Sequence, residues 1–100
     1  DEPLMRRVSS TFLAETPAML KAVRSACELR DAEALRQAAH KLKGSVRYFG
    51  GRRAFEAVEA LDGAGVRGDM DAAGDLCLAI EREVHELQRR LEERLSPPGR

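Results

Sequence analysis

Apolar residues recur along the chain every three or four positions and seldom alternate, a pattern that predicts amphipathic helices and not strands. Leu4, Val8 and Phe12 mark a short first helix. Thr16-Pro17 is expected to end or kink it, because proline suits a first helical position and threonine can cap it. A second helix then starts near Thr16, carries Leu20, Val23 and Cys27, and runs out near Arg30, where Asp31 is placed to cap the next segment. The third has Leu35, Ala38, Leu42, Val46 and Phe49 at helical spacing and is expected to end near Phe49, before Gly50-Gly51, a pair that can supply left-handed backbone. The fourth holds Ala54, Phe55, Val58 and Leu61 and fades through Gly63, Gly65 and Gly68. Asp69 then caps the last helix, whose stripe runs from Leu76 and Cys77 through Ile80, Val84, Leu87 and Leu91 to Leu95, before Pro97-Pro98. The predicted fold class is all-α: an antiparallel up-down four-helix bundle with a short additional N-terminal helix, its core about 4–95 and a frayed tail at 96–100.

At 100 residues the chain is expected to be one domain, 1–100, with 43% hydrophobic residues for a core and 34% charged residues for a soluble surface. The longest apolar run, Leu76 to Ile80, is far short of the ~20 residues that span a bilayer, so no membrane contact is expected of this domain. Seventeen basic residues balance seventeen acidic ones, so any electrostatic function must come from local segregation of charge. Cys27 and Cys77 lack the spacing of a zinc or dithiol motif and read as small buried apolar side chains in a reducing cytoplasm. They could form one disulfide in an oxidising compartment, but a chain with this core has no need of one. The chain opens on Asp1 without a leader-like pattern, which suggests a domain excised from a larger protein.

Chemistry concentrates on the third helix. Helical spacing gathers Glu33, Arg36, Gln37, Lys43, Gly44 and Arg47 around His40, on the side opposite the apolar stripe, so His40 is expected to face solvent. Gly44 lies one turn beyond His40 in mid-helix, where glycine costs about 1 kcal/mol relative to alanine. Close packing would favour the apolar side, so the glycine reads as clearance for a reactive group of a second molecule. Between Glu33 and Glu56 there is no acidic residue, while Arg36, Lys41, Lys43, Arg47, Arg52 and Arg53 are basic, which predicts a positive region centred on His40. Imidazole has one nitrogen free to attack while the other keeps its proton, and could take a phosphoryl group as an N-phosphoryl adduct. The chain has no phosphate-binding glycine loop, no nucleotide box and no carboxylate cluster for magnesium, so the histidine is expected to be loaded and unloaded by other domains.

The stretch Ala39-His40-Lys41-Leu42-Lys43-Gly44-Ser45, followed by Phe49-Gly50, resembles the histidine-containing phosphotransfer (HPt) domain of bacterial multistep phosphorelays and two-component signalling. His, Leu, Lys, Gly and Ser recur in that family's order and spacing, Gly68-Asp69 opening a last helix also fits, and the resemblance spans about 4–95. It implies a four-helix bundle, often with a leading helix, in which His40 accepts a phosphoryl group from a receiver-domain aspartate and passes it to another receiver. It further implies a phosphoryl carrier and not an enzyme, with Lys43, Gly44, Lys41, Gln37, Arg36 and Arg47 as the phosphoryl and partner environment. No cofactor of its own is expected, Mg2+ being held by the partner receiver. Response-regulator receiver domains are the expected partners, with a histidine kinase in the same polypeptide as a further one if the domain was cut from a hybrid sensor kinase. A cytoplasmic monomer is expected, tethered to the membrane only through such a kinase. Two departures from the family pattern fall at Asp62, where glutamate is common, and at Ala54-Phe55, where the large apolar residue is shifted by one; both are assigned to packing or surface, off the His40 face.

Three other readings compete. A metal or haem site shared by His40 and His85 would break both amphipathic patterns, and His85, among Glu81, Glu86 and Gln88, reads as a surface residue. A nucleic-acid-binding bundle would rest on the six basic residues and Tyr48, but Phe12, Phe49 and Phe55 lie on apolar stripes and leave no stacking platform. A phosphoryl-silent docking module for a receiver would have no use for His40.

Overall fold

The structure, a computed structural model, describes residues 2–49 and 52–95 and contains four helices: α1 (Glu2–Glu28), α2 (Ala32–Phe49), α3 (Arg52–Arg67) and α4 (Met70–Leu95). The Gly50-Gly51 break and the 96–100 tail with Pro97-Pro98 lie outside the described residues.

The first two predicted helices are one. Pro17 sits inside α1, on its exposed side, and does not divide it. Proline in a helix interior costs about 3 kcal/mol through a lost N–H and a clash one turn back. Ser9, Phe12, Thr16, Leu20, Val23 and Ala26 nevertheless form one unbroken buried stripe along α1. Burying a Phe, Leu or Val side chain is worth ~1.5–3 kcal/mol each, so keeping the stripe in register outweighs the proline. Thr16, expected to be a cap, is instead fully buried, and its hydroxyl donates to the Phe12 carbonyl one turn back.

The two described turns share one construction. Arg30 (φ 53°) and Gly68 (φ 72°) adopt left-handed backbone, and each closes the preceding helix with a pair of crossing bonds. These are Arg30 N to Cys27 O (3.1 Å) with Asp31 N to Ala26 O (3.0 Å), and Gly68 N to Gly65 O (3.2 Å) with Asp69 N to Ala64 O (2.9 Å). Asp31 and Asp69 cap the next helices as expected, accepting from the Ala34 and Ala72 amides at 3.1 Å each. Helix α3 does not fade at Gly63 but runs on to Arg67. Gly65 is buried against α2, where a Cβ would come within 2.9 Å of Arg36 Cγ, so the two helices approach closely there.

Cross-helix contacts give the directions of neighbouring helices. Phe12 meets Phe49 at 4.8 Å between ring centroids and Met19 meets Ser45 at 3.4 Å, so α2 returns along α1. Gly65 faces Arg36 and Glu59 faces Lys43, so α3 runs back along α2. Helix α4 closes on α1, with Arg24 bound to Glu81 (2.6 Å), Arg30 to Asp71 (3.0 Å) and Arg6 to the Leu95 carbonyl (3.3 Å). Leu35, Leu42, Leu61 and Ile80 are fully buried at the centre. With 27 and 26 residues, α1 and α4 outlast α2 and α3, and the first turns of α1 pack on the end of α4, leaving Leu4 and Met5 exposed.

The Arg24–Glu81 pair is bidentate and ties the long helices together. Its hydrogen bonds to Arg24 hold the Glu81 carboxyl below the usual carboxylate range. A carboxyl lowered on folding stabilises the protein above its unfolded pKa, about 4.3, and that contribution is lost as pH falls through the lowered value. Glu81→Gln is therefore expected to lower urea stability at pH 7, with the gap to the parent shrinking as the pH is taken from 5 to 3.

Candidate functional site

The geometry of the site follows from α2 being amphipathic. Leu35, Ala39, Leu42 and Val46 are buried to 1% exposure or less, so the helix is locked in rotation and His40, next to Ala39, is held facing solvent. Gly44, one turn on, is exposed, and a Cβ built there would meet nothing within 4 Å. No packing contact calls for that glycine. The surface beside the imidazole is open on this flank, where Lys41 borders a groove with Ala14, Ala18 and Met19 of α1, and Gln37 a second one with Ala22 and Ala34.

The other flank is the α2–α3 seam. Arg36, His40, Lys43 and Arg47 form one stripe of α2, and Phe55, Glu59, Asp62 and Val66 form the stripe of α3 that meets it. Lys43 is tucked in, its side chain 22% exposed, with Nζ 3.9 Å from Glu59 Oε2 and 5.9 Å from the Phe55 ring centroid. The Arg47 guanidinium lies 5.6 Å from the same ring, so one aromatic face steadies two cations. Phe55, Val46, Arg47 and Arg52 line a pocket at this end of the seam. Arg36 packs its aliphatic stem on Gly65 and pairs with Glu33 at 3.7 Å.

Between these fixed points the register is set. Arg36 opposite Gly65 and Lys43 opposite Glu59 bracket the level of His40 on α2 and of Asp62 on α3. Asp62, assigned to packing or surface, has one carboxylate oxygen, Oδ1, buried with no hydrogen-bond partner among the described residues. A buried acceptor left unmatched costs ~1–3 kcal/mol, so this oxygen is an acceptor available to a donor that reaches it. Sequence reasoning missed this residue because its meaning lies in the pairing of two helices. A count of 22 positions from His40 carries no periodic signal.

The positive region is also weaker than the acid-free stretch suggests. Arg36, Lys43, Arg52 and Arg53 are each paired, with Glu33, Glu59, Glu56 and Glu83 respectively, at 3.4–3.9 Å. The acid-free stretch hides this because the carboxylates arrive from a preceding turn, from α3 and from α4. Lys41 and Arg47 form no ion pair among the described residues. His85 is exposed on α4, Tyr48 is 65% exposed, and Phe12, Phe49 and Phe55 are buried or half-buried.

A four-helix protein that turns one histidine outward beside a side-chain-free gap and a seam of steadied cations has the build of a phosphoryl carrier. The chain belongs to the Hpt domain family, whose model matches residues 7–90. It is a histidine phosphotransfer module of phosphorelay signalling, a family that works as phosphocarriers with receiver domains. Its fold is similar to the crystal structure of histidine-containing phosphotransfer protein B (HptB) from Pseudomonas aeruginosa PAO1. The TM-score is 0.88 at 24% sequence identity, over 94% of this chain and 82% of that one. No curated protein matches the chain by sequence. No helix among the described residues is long and apolar enough to cross a membrane.

Because Gly44 borders open space, Gly44→Ala should fold and gain up to ~1 kcal/mol of stability in urea denaturation through helix propensity alone. A loss of stability would mean that the glycine serves packing.

Proposed function

We propose that His40 is the phosphoacceptor of this Hpt domain, an antiparallel up-down bundle that works as a monomeric, cytoplasmic carrier over the single domain 1–100. The observation that carries the reading is the outward imidazole with open space at Gly44 on one flank and the α2–α3 seam with the Lys43–Glu59 pair on the other. One nitrogen of His40 attacks the phosphorus of a receiver's aspartyl phosphate. The P–O bond to the receiver carboxylate breaks, the N–P bond forms, and the carboxylate leaves with its electron pair. A second receiver reverses the step. The receivers hold the Mg2+, and a histidine kinase of the same polypeptide is a further partner where the domain belongs to a hybrid sensor kinase.

The surroundings divide the labour. Gly44 admits the receiver's phosphoryl group, and Lys43, held in reach by Glu59 and Phe55, turns its ammonium toward the transferred oxygens. Asp62, whose Oδ1 has no partner among the described residues, is the acceptor for the proton of the non-attacking nitrogen once the ring turns to it, which would fix the tautomer. Lys41 and Gln37 toward α1, and Arg36 and Arg47 along the seam, frame the docking surface.

In a transfer assay with a phosphorylated receiver, His40→Gln should fold and accept no label, while His85→Gln should match the parent. The adduct should be acid-labile and alkali-stable. Label retained at the parental level in His40→Gln would sink the assignment.

Asp62→Ala should slow transfer by roughly 10-fold or more while the protein stays folded, and Asp62→Asn should recover part of the rate because its amide oxygen can still accept. Nitrogen chemical shifts of His40 should report one dominant tautomer in the parent and a mixture in Asp62→Ala. An unchanged tautomer ratio would reduce Asp62 to a packing residue.

A further inference from the structure

Away from His40, the α1–α4 seam brings together the two cysteines that the sequence sets fifty positions apart. The antiparallel register is pinned by Arg24–Glu81 and by Arg30–Asp71, and Cys27 and Cys77 lie between these pairs. The Cys27 sulfur is 3.6 Å from the Ala73 carbonyl oxygen, one turn before Cys77 on α4, and the Cys77 sulfur is 3.8 Å from Glu81 Oε1. Each sulfur thus lies in the α1–α4 seam, and both thiols are free. They are not equivalent: Cys27 is half-buried, whereas Cys77 is 4% exposed.

We propose that Cys27 and Cys77 are an oxidisable pair that closes to a reversible disulfide between α1 and α4, with Cys27 the attacking sulfur, Cys77 the resolving one, and a small disulfide such as oxidised glutathione the oxidant. Cys27 gives its proton to solvent and its thiolate attacks one sulfur of oxidised glutathione. This forms a mixed disulfide and releases one glutathione. Cys77 then loses its proton to solvent and attacks the Cys27 sulfur, releasing the second glutathione. Two protein thiols are oxidised and one oxidant disulfide is reduced to two thiols.

Order and speed follow from the surroundings. Burial pushes both thiols up, Cys77 to about 12, while the neighbouring Cys77 thiol favours the Cys27 thiolate. Cys27 is therefore both the more accessible and the more readily ionised. The scarcity of thiolate makes the reaction slow at neutral pH, with a rate rising close to 10-fold per unit of pH until Cys27 is ionised. The loop closed between the two cysteines contains all of α2 and α3, so the cross-link restricts half of the unfolded chain while lying on a different seam from His40.

The test exposes the full native chain to a glutathione redox buffer at pH 8.5, traps free thiols by alkylation, and reads products by mass spectrometry and a non-reducing peptide map. The parent should end as a monomer that has lost two hydrogens, with Cys27 joined to Cys77 and Tm raised by ~5 °C or more. Cys77→Ser should stop with one glutathione on Cys27, and Cys27→Ser should remain largely unmodified, helix content being checked by circular dichroism. The proposal is overturned if the native parent ends with one glutathione on each cysteine, as an intermolecular dimer or unreacted. It is also overturned if Cys27→Ser reacts as fast as Cys77→Ser, or if the cross-link lowers Tm. Should either variant fail to fold, the parent's own product and its Tm decide.

Discussion

The structure depends on the burial of one side of α2. Leu35, Ala39, Leu42 and Val46 are almost completely removed from water between α1 and α3, and to turn the helix by even one residue would expose them. That apolar lock holds His40 outside, and nothing polar is needed to do so. It also sets the depth at which Lys43 meets the seam, since the lysine stem must run along the α3 surface before its ammonium reaches Glu59. Reactive geometry here is a by-product of core packing, which is why an exposed side chain on an otherwise featureless helix can be held in a defined direction.

The seam between α2 and α3 adds what burial alone does not. Gly65 lets the helices come close at one end, and Phe55 faces Lys43 and Arg47 across the seam at the other. The stretch between is the level of His40 and Asp62. Charges along this seam are matched locally, so a receiver approaching the site meets a nearly balanced surface with Lys41 and Arg47 as its unpaired cations among the described residues. Recognition then leans on shape and on short-range contacts more than on long-range steering, which salt screens.

What could be read from the sequence was whatever a single helix declares about itself. The outward His40, the bare Gly44, the Asp31 and Asp69 caps and the end of α2 near Phe49 all follow from spacing within about one turn. The break at Pro17 was misread for the same reason. Local propensity favours a stop there, and only the continuous buried stripe from Ser9 to Ala26, meaningful against α2 and α4, overrules it. The level that Asp62 shares with His40, the carboxylates that neutralise the basic stretch and the placing of Cys27 and Cys77 on one seam depend on which helices lie side by side. No window of one chain segment contains that information.

The unequal helix lengths divide the molecule mechanically. Where all four helices run together, each is held by two neighbours. Beyond Phe12 and Phe49 the start of α1 and the end of α4 have chiefly each other, with Leu4 and Met5 left in water. Opening of that two-helix portion gives up little buried surface and so lies at the low end of the scale of local unfolding energies. The Phe12–Phe49 contact separates that portion from the part where four helices pack together. The thin end can breathe, or be pulled upon, while the imidazole several turns away keeps its place.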